Sequence, residues 1–240
     1  TAYEISACLV GSEMCIRDSC GTGQNSITTA TKFRNCKIFA TDISLSSLAY
    51  AIRKTDELSI KNIEYVQSDI LNLNKIDKNF DIIECSGVLH HMDNPMKGWK
   101  VLTDCLKPGG LIRIGLYSEL ARHNIVKIRE EISQTGIGSS STEMKSFRDI
   151  IIKSDQNKQK KIFSFADFYS LSTLKDLLFH VQEHRFTIPL IKDHLNKLGL
   201  KFCGFEPSKI VQNFKRTNKH KEDPYDLDKW QVYELSLIHI

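Results

Sequence analysis

Gly21 and Gly23, in the stretch "CGTGQNS", form a turn ahead of a helical run, and Asp42 ends the β-rich stretch "CKIFATD" about twenty residues on. A turn without side chains lets backbone N–H groups come close to a ligand. An acid at that distance, at the end of the next strand, is placed to accept hydrogen bonds from ribose hydroxyls. Asp69 ends the run "IEYVQSD", where it would receive an adenine amino group with Ile43 and Ile70 flanking the ring. His90 and His91 lie just past a fourth apolar run, "FDIIECSG". Imidazole titrates near neutral pH, so either ring could take a proton or hold a substrate. The competing reading packs one ring under the loop and leaves the other in solvent.

These residues fit a nucleoside, and two nucleosidic cofactors compete. A nicotinamide dinucleotide prefers G-x-G-x-x-G, but Ser26 stands where the third glycine belongs. S-adenosyl-L-methionine carries no phosphate and needs close backbone approach without a pyrophosphate cradle. The loop favours S-adenosyl-L-methionine.

The elements that must position these residues alternate. A helix over 25–33 follows the glycine turn, a strand spans 36–42, and Ser44 caps a helix over 44–54 with Leu45, Leu48, Ala49 and Ile52 at helical spacing. Strands over 63–69 and 80–87 follow. Pro95 then opens a helix, "KPGG" (107–110) turns, and 111–118 is another strand. Strand and helix in alternation predict a doubly wound parallel sheet, whose ligands bind at the carboxyl ends of the strands.

"CGTGQNS", "FATDIS", "YVQSDILNL", "FDIIECSGVLHHMDNP" and "LKPGGLIRIGLYS" resemble, in order and spacing, the successive motifs of class I S-adenosylmethionine-dependent methyltransferases over residues 20–118. The resemblance implies an α/β fold, a mostly parallel Rossmann-like sheet with a helical C-terminal addition. It implies that Gly21, Gly23 and Gln24 line the methionine and ribose side, that Asp42 holds the ribose, and that Asp69 and Ile70 meet the adenine. Ser86 to Val88 would lie beside the sulfonium. Residues 171–206 resemble, more loosely, methyltransferase domains of bacterial tetratricopeptide-repeat proteins, which implies a repeat region upstream in the full-length protein.

One departure falls on the first strand. The family pattern has an apolar strand carrying an acid ahead of a glycine, whereas Arg17 stands at the acid's place and Ser19 at the glycine's. Residues 1–19 and the closing "LSLIHI" (artefact from 236) resemble translated sequencing-adapter DNA. The departure therefore reads as lost sequence, with a damaged cofactor site as the alternative. Residues 1–19 are not a signal peptide, because Glu4 and Glu13 interrupt any apolar core.

Residues 119–235 are expected to be a helical, acceptor-side region whose late strand, 200–206, rejoins the sheet. Tyr117, Phe163, Phe165, Tyr169, His180, His184 and Arg185 are its candidate acceptor contacts, since aromatic rings exclude water while polar groups orient a substrate. His180, Glu183 and His184 match the H-x-x-E-H arrangement of some zinc peptidases, but that site needs a third ligand downstream, and no metal is expected.

Composition narrows the rest. With 41% hydrophobic and 26% charged residues over 240 positions, the chain can bury a sizeable core, and no apolar run is long enough to span a bilayer. Seven cysteines without CxxC pairs suggest reduced thiols and a cytoplasmic protein. The net charge of +4 reflects lysine clusters at 153–161 and 214–221, read as solvated faces. Nucleic-acid methylation is disfavoured because "CSGVLHH" replaces the Asn/Asp-Pro-Pro-aromatic motif of base amino-group enzymes. The expected function is methyl transfer to a small molecule. The alternatives are a non-catalytic cofactor-binding module of a repeat protein, and an RNA methyltransferase.

Overall fold

A computed structural model describes residues 14–153, 162–163, 165–180, 182–206, 208–217 and 223–237. Most of the first adapter-like segment, residues 238–240, most of the first lysine cluster, half of the second and Val181 of the zinc-like motif lie outside the described residues.

Five parallel strands form one sheet in the order β3-β2-β1-β4-β5. They are β1 (Met14–Asp18), β2 (Lys37–Asp42), β3 (Ile63–Gln67), β4 (Phe80–Ser86) and β5 (Leu106–Gly115). The crossovers carry α1 (Gln24–Lys32), α2 (Leu45–Glu57) and α3 (Pro95–Asp104). The sheet reverses direction of growth beside β1, which places the strand ends of β1, β2 and β4 around one crevice. Residues 14–18, set aside above as adapter-like, thus form the central strand.

Side-chain chemistry explains the helix starts. Ser44 caps α2 by accepting the Ser47 N–H at 3.2 Å, and Asn94 caps α3 by accepting that of Lys97 at 3.1 Å, with Pro95 in the first turn. The expected "KPGG" turn lies inside β5. Phe80 pairs with Leu106 and Ile82 with Leu111, so the turn is absorbed as a bulge. Gly110 is needed there, because a Cβ would meet the Asp81 carbonyl oxygen at 2.9 Å.

Contacts divide the chain into two units. The first joins the residues up to Leu116 with those from Ile188 onward; the second is Tyr117–Thr187. The expected single region 119–235 is therefore split. In the first unit α7 (Ile188–Lys197), α8 (Ser208–Thr217) and α9 (Leu227–Ser236) share a core with the sheet, through Ile188, Leu195, Phe214, Trp230 and Tyr233. Phe214 stacks on Trp230 at 3.9 Å.

Residues 200–206 form no strand, contrary to expectation. Their apolar side chains find partners without a ladder: Phe202 packs on Phe205 at 4.9 Å and Phe205 on Trp230 at 5.0 Å. Gly204, at φ 130°, breaks the extended run.

The second unit packs α4 (His123–Thr135), α5 (Ser141–Lys153) and α6 (Leu171–Leu178) around Ile125, Ile128, Ile132, Phe147, Phe168 and Leu174. Gly136 ends α4 in the left-handed conformation. Among the described residues, no helix is long and apolar enough to cross a membrane.

Candidate functional site

The glycine turn leaves β1 through three residues of positive φ: Ser19 at 52°, Gly21 at 55° and Gly23 at 80°. Ser19 occupies the family's glycine position and adopts a conformation that costs a side-chain-bearing residue about 1 kcal/mol. The Cys20 N–H donates to the Thr41 carbonyl at 2.8 Å, tying the turn to β2. Gly23 begins α1 against α2, where a Cβ would lie 2.7 Å from that of Ala51. Gly21 differs, because a Cβ there would meet nothing within 4 Å. Open space in front of bare backbone is what a closely approaching ligand requires. Gln24 follows as the exposed first residue of α1.

Asp42, at the end of β2, is buried beside this turn. Its carboxylate accepts the N–H of Gly21 at 2.7 Å and that of Ser44 at 2.8 Å. Each oxygen keeps a further lone pair for a hydroxyl donor. Ile43 follows with 67% of its surface exposed, and the Gln67 amide donates to its carbonyl at 3.1 Å. Asp69 ends the segment after β3 and accepts the Leu71 N–H at 2.8 Å through one oxygen. Ile70 turns into the core, which leaves Ile43 as the exposed apolar surface beside Asp42.

At the end of β4, Ser86 is exposed, and Gly87 takes φ 84° with open space where a Cβ would lie. Val88 is half-buried, and its carbonyl accepts the His91 N–H at 2.8 Å. The two imidazoles pack edge to face at 4.2 Å, His90 buried and His91 half-buried. Of the pair, His91 is the ring with surface to offer.

Beneath the turn lie charges that sequence reading did not anticipate. Arg17 of β1, Glu84 of β4 and Arg113 of β5 are register partners across three strands, and Glu84 pairs with both arginines. The buried Arg17 is thus neutralised by a residue on the neighbouring strand. Asp18 projects its carboxylate to the Thr41 hydroxyl at 3.0 Å and the Cys85 thiol at 3.7 Å. Burial pushes Asp18 up to about 6, against the pull of those hydrogen bonds. Burial likewise raises Cys20 to about 11 and Cys85 well above the ordinary thiol value, so both remain protonated thiols at neutral pH.

The acceptor-side candidates fall in the second unit. Tyr117 lies under the Arg122 guanidinium at 3.8 Å, Arg122 pairs with Glu183, and Arg185 donates to Glu119 at 3.1 Å. His180 joins this group through its carbonyl, which accepts from Arg129. The His184 ring lies 3.3 Å from the Gln182 side-chain amide. Tyr169 stands apart, exposed, its hydroxyl donating to the Phe163 carbonyl at 3.1 Å. Phe163 and Phe165 pack against the unit's own core. The zinc-like motif does not form. α6 ends at Leu178, so the histidines are not one helical turn apart, and Glu183 is engaged by Arg122 and Arg129.

The first-unit groups fit S-adenosylmethionine: open backbone at Gly21 and Gly87, acceptors at Asp42 and Asp69, and an exposed apolar face at Ile43. When bound, it supplies a methyl group already activated by a sulfonium. The turn would hold its methionine and ribose, Asp42 the ribose hydroxyls, and Asp69 the adenine side.

Comparison with known proteins agrees. Residues 19–112 match the family model described as a methyltransferase domain. An uncharacterized protein of Synechococcus is 26% identical over 231 residues, covering 90% of this chain and 54% of that protein. A probable (S)-tetrahydroprotoberberine N-methyltransferase of Papaver bracteatum is 28% identical over 75 residues, 31% of this chain and 21% of its own. The fold matches the structure of PKMT2 from Rickettsia typhi in complex with AdoHcy, with a TM-score of 0.68 at 18% identity, over 94% of this chain and 46% of that one. The chain spans about half the length of these first two full-coverage matches. Residues 19–112 thus match a methyltransferase domain, and the sheet that carries them has the Rossmann-like fold of the class I methyltransferases that use S-adenosylmethionine.

Proposed function

We propose that the chain catalyses transfer of a methyl group from S-adenosylmethionine to a small-molecule acceptor. The observation that carries this reading is the convergence of Gly21, Asp42 and Gly87 on one crevice at the carboxyl ends of β1, β2 and β4. Methyl transfer is a displacement at a carbon that is already activated, so orientation and exclusion of water supply much of the rate. His91 is the proposed proton acceptor or orienting group for an acceptor that arrives protonated. The name of the Papaver relative, a probable (S)-tetrahydroprotoberberine N-methyltransferase, supports a small acceptor.

A second reading, a module that holds the cofactor without turnover, draws on Ser19, whose strained φ lies where the family has glycine. Incubation with methyl-labelled cofactor and a metabolite extract separates the two. Labelled product that falls at least tenfold with His91→Ala supports the enzyme. Tight cofactor binding with no product from any fraction supports the module.

A further inference from the structure

The second unit holds a cavity that none of the cofactor-side residues lines. It measures about 260 Å³ and is lined by Val126, Arg129, Glu130 and Ser133 of α4 and by Glu183 and Arg185 of the non-helical segment after α6. The four α4 residues recur at helical spacing, so they form one face.

The charges of this wall do not cancel among themselves. Glu183 is buried, its side chain 1% exposed, and its single negative charge serves two guanidiniums. Arg122 donates to it through Nε at 3.2 Å and through Nη2, and Arg129 through Nη1 at 2.9 Å. That trio carries one surplus positive charge at low exposure, which is costly without a counterion. Burial, with Arg122 and Arg185 nearby, pushes Arg129 below the usual guanidinium value despite the pull of Glu183. Arg185 donates only its Nε, to the exposed Glu119, so its two terminal nitrogens have no hydrogen-bond partner among the described residues. On the α4 side the exposed Glu130 carboxylate and the Ser133 hydroxyl likewise have none among the described residues.

We propose that this cavity binds a free α-amino acid, its carboxylate on Arg185 and the surplus charge of Arg129, its ammonium on Glu130 and Ser133, and its side chain against Val126. A simple anion would meet Glu130, and a simple amine would meet the surplus positive charge. Only a group carrying both charges complements the whole wall. The proposal does not rest on the methyl-transfer reading: it uses no residue of 19–112, and of the candidate acceptor contacts it uses Arg185 alone.

Calorimetric titration of the full chain with a panel of free L-amino acids, each beside its isosteric amine and its isosteric carboxylic acid, tests it. At least one amino acid is expected to bind, with both isosteres at least about tenfold weaker, as loss of one charge-assisted contact implies. Arg185→Gln and Glu130→Gln should each weaken binding by a similar factor while circular dichroism and S-adenosylhomocysteine binding stay unchanged. Failure of the whole panel, binding indifferent to both variants, or an isostere as tight as its parent amino acid would each overturn the assignment.

Discussion

The Asp42 carboxylate accepts the Gly21 N–H at 2.7 Å, so the acid that ends β2 and the glycine that follows β1 are one unit of structure. The same carboxylate accepts the Ser44 N–H at 2.8 Å. Asp42 therefore shapes the turn as well as facing a ligand.

Asp42→Ala should weaken S-adenosylhomocysteine binding about a hundredfold, the loss expected for two hydrogen bonds to a charged group. Calorimetry measures it, with circular dichroism to establish folding. A folded variant that binds normally would remove Asp42 from the cofactor site.

Gly21 and Gly23 separate ligand space from packing space. Gly23→Ala would set a Cβ 2.7 Å from Ala51 Cβ and 3.1 Å from the Tyr65 hydroxyl at a φ of 80°, so a loss of about 2–3 kcal/mol in denaturant unfolding is expected. Gly21→Ala meets nothing, and its cost should be only the left-handed strain of about 1 kcal/mol. Its cofactor binding should nonetheless fall at least tenfold. Equal stability losses for the two variants would contradict the distinction.

The glycine turn, the strand ends at Asp42 and before Asp69, and the three crossover helices were legible because each rests on local signals: a turn residue, a cap, or an acid at the end of an apolar run. The rest depended on partners distant in sequence. Arg17 looked like a lost acid, yet Glu84 accommodates it through strand register that no local pattern encodes. Residues 200–206 alternate like a strand, but Phe202 and Phe205 bury themselves through aromatic packing that ends on Trp230. Ile70 was expected beside the adenine and instead fills the core. His180, Glu183 and His184 matched a metal motif, but the arginines that claim Glu183 lie at the start of α4 and on it, far away in sequence.

Asp18 should give stability a pH dependence opposite in sign to that of an ordinary paired carboxylate. Its native value, about 6, is raised from 3.8, so between these limits the folded state binds more protons than the unfolded state. Stability from this group is full below about pH 4 and declines as pH rises through 6, by an amount on the order of 3 kcal/mol. Asp18→Asn keeps an acceptor for Thr41 and removes the ionisation. The variant should be more stable than the parent at pH 7, by about 1–3 kcal/mol, and the two should converge near pH 4. Parallel stability curves across that range would show that Asp18 titrates normally.

Glu183 predicts the reverse. Its desolvation is outweighed by Arg122 and Arg129, and its carboxyl is held below the usual 4.5. Its contribution is therefore present above that value and lost as pH falls through the lower folded value. Glu183→Gln leaves two guanidiniums of low exposure sharing a neutral amide, and removal of one partner from a buried ion pair typically costs about 3–5 kcal/mol. Because Tyr117–Thr187 forms its own compact unit, the loss should appear as selective opening of that segment in hydrogen exchange, with protection of β1, β2 and β4 retained. Uniform loss of protection along the chain would show that the two units unfold together, and that the cluster around Glu183 stabilises more than its own unit.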